Sequence, residues 1–138
     1  MTAPVGTGGA GAELATGTVQ PKPWGHETMF ADGSHGYVGK LLVVTDGQSL
    51  SLQYHRDKDE TMLVLSGQVL LEHGPAEQQL QVDTLRAGDT VHLPPGVRHR
   101  LTAVGDAVLA EVSSAAPGWR QDIVRLDDRY GRTGTSAP

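Results

Sequence analysis

The sequence has 138 residues, 16 Asp and Glu against 11 Lys and Arg, a formal net charge of −5 and no cysteine. That length suits a single domain with a sizeable core, and the negative balance argues against non-specific nucleic-acid binding. Without thiols there is no disulfide framework and no thiolate metal site, so any metal must be held by imidazole, carboxylate or amide oxygen. The apolar runs are far too short to span a membrane, and the first residues lack the basic start and apolar core of a signal peptide, so the expected location is the cytoplasm.

In chain order, residues 1–17 are rich in Gly, Ala and Thr and predict a disordered tail. The folded domain is expected over residues 18–132, with a second disordered tail at 133–138. Gln20 to Phe30 contains two prolines and Trp24; it reads as an extended arm, able to reach a partner subunit. Tyr37 to Thr45 predicts a strand, and Asp46-Gly47 a hairpin turn into the next strand, Gln48 to His55. In that strand Leu50 and Leu52 fall on one face, and Ser49, Ser51, Gln53 and His55 on the other. Met62–Leu65 and Val69–Glu72 read as two strands around a turn at Ser66-Gly67-Gln68. Leu80–Leu85 and Thr90–Leu93 follow, and His99–Val104 with Ala107–Val112 predict a final hairpin across Gly105-Asp106. Eight or so short strands with regular turns and no sustained helical period predict an all-β sandwich or barrel.

The residues with metal chemistry cluster in two stretches. Gln53 and His55 are two apart and share a strand face. Glu60 follows a short polar turn, and His99 follows a Pro-Pro-Gly turn. Gln, His, Glu and His converging inside a small barrel make a divalent-metal site with room for a ligand.

The spacing resembles the cupin double motif. Its first half reads here as Gly47, five residues, Gln53, Tyr54, His55, four residues, Glu60, six residues and Gly67. Gln53 stands where most cupins carry a first His. The second half reads Gly88, Pro94, Gly96 and His99, with Ala103 in place of the usual Asn. The resemblance implies a double-stranded β-helix, the cupin jelly roll, in a single domain. KPWGHE (22–27), SLSLQYH (49–55) and DIVRLDDRYGR (122–132) further resemble the cupin portion of type II mannose-6-phosphate isomerases, without the nucleotidyltransferase half those proteins carry.

The resemblance implies one divalent metal ion (Zn, Mn, Fe, Co or Ni, with Zn or Mn favoured) held by Gln53, His55, Glu60 and His99. It also implies an aldose–ketose isomerase acting on a sugar or sugar phosphate, and a homodimer. Gln53 either ligates the metal or only hydrogen-bonds the site, and Asp57 is the alternative. The catalytic base is open among Glu60, His92 and Glu27, and Lys40 is a further catalytic candidate. Lys40, Arg98, Arg100 and Trp24 are candidates for binding the substrate, together with the Arg125–Arg132 segment. The other readings are a different metallo-cupin enzyme (a non-haem oxygenase, lyase or biosynthetic tailoring enzyme) and a non-catalytic sugar or small-molecule binding module.

Overall fold

The computed structural model describes residues 11–137. The first ten residues of the expected N-terminal tail, and Pro138 of the C-terminal one, lie outside the described residues. Nine strands run in order: β1 (Thr18–Lys22), β2 (Gly25–Asp32), β3 (Tyr37–Val44), β4 (Leu52–Tyr54), β5 (Glu60–Gly74), β6 (Gln81–Arg86), β7 (Thr90–Leu93), β8 (Arg98–Ser114) and β9 (Val124–Asp127). A 3-10 turn at Trp119–Gln121 is the one helical element among the described residues. The strands form one sheet with the path β1-β2-β3-β8-β4-β9, and β5 joins it through β8 while also pairing with β6 and β7. All pairings are antiparallel.

The inward face follows the period-2 pattern of the sequence. On β3, Leu42 and Val44 are buried, and on β8 every second residue from His99 to Ala103 and from Ala107 to Ser113 is buried. On β5 the buried residues are Glu60, Met62 and Val64, and then Val69 and Leu71. The parity switches because register shifts interrupt β5 on either side of Ser66. The first shift adds one residue to β5 and so switches its parity, and the second adds two residues to β8, whose parity is kept; such bulges bend the strands.

This corrects two expectations. Ser66-Gly67-Gln68 is not a turn between two strands, and Gly105-Asp106 is not the tip of a hairpin. Both halves of β8 keep pairing with β5, from Gly74↔Arg98 through Gln68↔Val104 to Ser66↔Val108 and Glu60↔Ser113. The glycines bend two long paired strands together and do not reverse either one. The strand expected over Gln48–His55 is likewise shorter. Only Leu52–Tyr54 forms β4, with an isolated bridge at Ser49↔Thr102 before it and a bulge between Leu52 and Gln53. Leu50 and Ser51 lie outside any strand, so strict two-face alternation does not apply to them, and both line the cavity described below.

The proline-rich arm folds back within its own chain. Thr18–Lys22 pairs with Met29–Gly25, and Trp24 at the turn is buried in the core. The segment after Arg132 is tied to β9, where Gly134 N donates to Arg125 O and Arg125 Nη1 donates to Thr135 O.

Gly67 and Gly47 both have left-handed backbones, with φ of 82° and 74°. A Cβ at Gly67 would stand 2.4 Å from Asp106 O, whereas one at Gly47 would meet nothing within 4 Å. We therefore expect Gly67→Ala to destabilise the fold by about 1–3 kcal/mol or more, from backbone strain plus the clash, and Gly47→Ala to cost less. Urea-unfolding midpoints of the two variants check the order.

Candidate metal centre

Three strands bring the candidate ligands together. His55 follows β4, Glu60 opens β5 and His99 is the second residue of β8. Gln53 pairs directly with His99 across β4 and β8. All four are buried, with Glu60 and His99 each 2% exposed. Glu60 Oε1 lies 3.3 Å from His55 Nε2 and 3.1 Å from His99 Nε2, and one ligand atom from each residue falls within 4.8 Å of the others.

Backbone carbonyls fix the orientation of both rings. His55 Nδ1 meets Asp122 O, and His99 Nδ1 lies 2.9 Å from Val97 O. A carbonyl only accepts, so each Nδ1 carries a proton, and a neutral ring then has an Nε2 lone pair to offer a cation. This is the second shell that a metal-binding histidine requires. In the absence of a cation, burial opposes a charged His99 ring but Glu60 pushes its pKa up.

The inner atoms have no other partner. His55 Nε2, His99 Nε2 and both Glu60 oxygens are buried without a well-formed hydrogen bond, although they sit close enough for one. Leaving such groups unpaired costs several kcal/mol in total, about 1–3 kcal/mol each. Two imidazole nitrogens and a carboxylate oxygen converging with nothing between them suit Zn or another first-row divalent ion, with positions left open. Gln53 stands beside this group, and its Oε1 accepts a 2.6 Å hydrogen bond from Ser51 Oγ.

Two residues not singled out from the sequence complete the buried charge. Lys58 Nζ lies 3.4 Å from Glu60 Oε2 and 3.4 Å from Glu111 Oε2. Burial opposes the Lys58 ammonium, but Glu111 and Glu60 together push its pKa up. Burial also opposes the Glu60 carboxylate, yet the two imidazoles and Lys58 hold it well below the usual carboxylate range. Glu111 goes the other way, raised by burial and by the Glu60 charge. Lys58 was hidden in a run of charges, DKD, that reads as a solvated turn. Glu111 did leave a signal, since it shares the inward parity of Ala107 and Leu109 on β8.

A cavity of about 320 Å³ opens beside the group, near the lower end for small-molecule sites. Gln53, His55, Lys58 and Glu111 line it. Six cationic side chains reach it (Lys22, Lys40, Lys58, Arg120, Arg125 and Arg132) against three acids, Glu27, Glu111 and Asp122. Lys40 lines it, its Nζ 3.4 Å from Glu27 Oε2 and 5.6 Å from the Trp119 ring centre. Trp24 forms part of the wall as a packed core residue, 4% exposed.

Three expected site residues lie elsewhere. His92 is on the surface, paired with Asp59 at 2.6 Å. Arg100 pairs with Glu72 and Asp127, at 2.6 and 2.9 Å. Arg98 stacks on Tyr54 and donates to Gly96 O. The alternation of β8 explains the two arginines, since they flank His99 and therefore point away from its face. Asp57, the alternative ligand, is exposed.

A sequence model described as mannose-6-phosphate isomerase C-terminal matches residues 12–128. The chain belongs to this family. Among curated relatives it is 35% identical over 114 residues to the xanthan biosynthesis protein XanB of Xanthomonas campestris pv. campestris, covering 81% of this chain and 23% of XanB. It is 31% identical over 113 residues to a mannose-1-phosphate guanylyltransferase of Salmonella montevideo, covering 80% of this chain and 23% of that protein. This family member thus spans about a quarter of the length of the relatives it matches.

Two solved structures share the barrel. One is the capsular polysaccharide assembling protein CapF of Staphylococcus aureus, with TM-score 0.72 and 17% identity over 83% of this chain and 35% of CapF. The other is oxalate decarboxylase of Bacillus subtilis, with TM-score 0.70 and 14% identity over 80% of this chain and 30% of the enzyme. They establish the cupin jelly roll that the motif spacing led us to expect.

In this family member Asp122 ties the centre to the C-terminal segment. Its carbonyl holds His55, and its carboxylate accepts from the backbone N–H groups of Arg56, Asp57 and Lys58 at 2.7, 2.9 and 2.9 Å. Burial opposes the charge, but these donors bring the Asp122 pKa below its ordinary value. A carboxylate held down in this way stabilises the fold fully above its unfolded pKa and loses that effect as pH falls through the folded one. We expect Asp122→Asn to cost on the order of 2 kcal/mol at neutral pH, with the gap to wild type closing below about pH 4. Urea midpoints of both proteins across that range test it.

Proposed function

We propose that this chain is a metal-dependent aldose–ketose isomerase that acts on a sugar phosphate. The observation that carries this reading is the group of unsatisfied, buried ligand atoms of His55, Glu60 and His99, set beside a cavity with a surplus of cations. The relatives are a xanthan biosynthesis protein and a mannose-1-phosphate guanylyltransferase, and the family is that of the mannose-6-phosphate isomerase C-terminal domain.

His55, Glu60 and His99 would hold the divalent metal, zinc or manganese by preference, and Gln53 borders it. When bound, the metal supplies Lewis-acid polarisation of the sugar carbonyl and the adjacent hydroxyl. The chain's own residues do the rest. Glu27, bracketed by Lys22 and Lys40 at 3.9 and 3.4 Å, is placed to orient sugar hydroxyls. Trp24 closes one wall against water. Glu111 is the group best placed to move the proton, because it lines the cavity and its pKa is raised. It takes the C2 proton of the aldose and returns it to C1 while the O2 hydroxyl proton passes to O1, and Lys58 steadies the carboxylate between the two states. Glu60 is committed to the imidazoles and Lys58, which leaves it no free proton-transfer role, and His92 is outside the cavity.

One observation favours a second reading. His55, Glu60 and His99 alone make two histidines and one carboxylate, the pattern of non-haem iron oxygenases, and Gln53, whose Oε1 accepts from Ser51 Oγ, stays a hydrogen-bonding neighbour in that reading.

Elemental analysis of protein purified without added metal or chelator separates these readings. We expect about one zinc or manganese per chain in wild type and almost none in His99→Ala. Iron with substrate-dependent oxygen uptake would replace the isomerase with the oxygenase, and a chain that takes up no metal would leave a binding module. With metal in place, we expect mannose 6-phosphate to exchange its C2 proton with deuterated solvent. Glu111→Gln should then slow turnover about 10²–10⁴-fold with metal content unchanged. Exchange at the wild-type rate in that variant would remove Glu111 from the mechanism.

A further inference from the structure

We infer that Arg125 is the centre of an anion subsite that receives the phosphate group of a phosphate-ester ligand. The inference deepens the sugar-phosphate reading above and rests on it, but its own ground is separate. Arg125 is 6% exposed and faces the cavity. Its Nη1 donates to Thr135 O at 3.0 Å, its Nε has no partner, and no carboxylate among the described residues forms an ion pair with it. The nearest acid in charge terms, Asp128, is taken by Arg132, which grips it through Nε and Nη2 at 2.8 and 3.1 Å. A guanidinium stays charged at any physiological pH. Buried without a counter-charge it is costly, and an anion in the cavity would remove that cost.

Strand register places this cation relative to the metal centre. His99 pairs with Gln53, and Gln53 pairs with Arg125. Directly paired residues share a sheet face, so the three side chains form a row across β8, β4 and β9. At about 4.8 Å per strand step, the Arg125 backbone lies roughly 10 Å from that of His99. A ligand can therefore present its carbonyl end to His55, Glu60 and His99 and its far end to Arg125, passing over Gln53.

The chemistry of the surroundings selects phosphate. A phosphate monoester carries close to two negative charges near neutral pH, and Arg125 does not stand alone. Arg132 is 8% exposed and lines the same cavity, as does Lys22. Burial lowers the pKa of Lys22 and of Arg125, and the positive charge of Arg132 lowers both further, as expected where cations crowd without enough acid. The Arg125 fork, with Nε and a second nitrogen free, suits bidentate contact to two phosphate oxygens.

Calorimetric titration of the metal-loaded chain with inorganic phosphate, mannose 6-phosphate and mannose tests this. We expect phosphate and mannose 6-phosphate to compete for one site on wild type. Arg125→Gln should weaken both at least tenfold and leave mannose unchanged, Arg125→Lys should be intermediate, and Arg86→Gln, on the exposed β6 strand, should bind as wild type. Unchanged phosphate binding in Arg125→Gln, or no phosphate binding by wild type, overturns the proposal. Should Arg125→Gln not fold, a crystal of the unaltered chain soaked in tungstate decides. An anomalous peak within hydrogen-bond reach of Arg125 Nε supports the subsite, and its absence overturns it. These are binding readouts. Phosphate held at Arg125 without proton exchange would sink the isomerase and keep the subsite, and exchange with an indifferent Arg125→Gln would do the reverse.

Discussion

Glu60 is a carboxylate on the inward face of a core strand, two residues from Met62 and 2% exposed. An ionised carboxylate in that position needs compensation on every side. Lys58 and the two imidazole nitrogens converge on it, yet neither oxygen has a well-formed hydrogen bond. Much of the neighbouring structure answers to this one charge. Lys58 is buried between Glu60 and Glu111. The carbonyls of Asp122 and Val97 engage the Nδ1 of both histidines and so aim each Nε2 inward, at Glu60. A neutral ring in this orientation offers its Nε2 lone pair to a cation.

The barrel can assemble this centre because its two longest strands bend together. β5 delivers Glu60 at one end and β8 delivers His99, while the register shifts near Gly67 let both strands stay paired through the bend. Without the change of parity at that point, Val69 and Leu71 would turn outward if Met62 and Val64 stayed in. Pairing on the other edge of β8 then sets β4 and β9 beside His99, so Gln53 and Arg125 fall into line with it. The metal-type ligands and the uncompensated arginine are thus two ends of one row beside the cavity.

The distribution of charge separates interior from surface. The chain as a whole is acidic, while the cavity has twice as many cationic as acidic side chains around it. Arg98 and Arg100 show how narrow the margin is. They flank His99, but the pleat turns them outward, to Tyr54 in one case and to Glu72 and Asp127 in the other. The cations that do reach the cavity come from β1, β3, the turn before β5, the 3-10 turn, β9 and the C-terminal segment.

The sequence by itself determined the all-β class, most strand positions, and the identity of His55, Glu60 and His99 as a converging group. These follow from local rules, namely side chains alternating every two residues and glycines punctuating the turns. The continuity of β5 and β8 was not legible, because Gly67 and Gly105 have the composition of turns, and only pairing with a partner strand distinguishes a bend from a reversal. The roles of Lys58 and Asp122 belonged to the tertiary structure alone, while the sequence showed Glu111 only as an inward position of β8 and Arg125 only as one of several cations in the 125–132 segment. Each depends on a partner far away in the chain: Glu111 for Lys58, the backbone of 56–58 for Asp122, Gln53 and His99 for Arg125. Register between distant strands is set by how the whole inward face packs, and no local pattern encodes it.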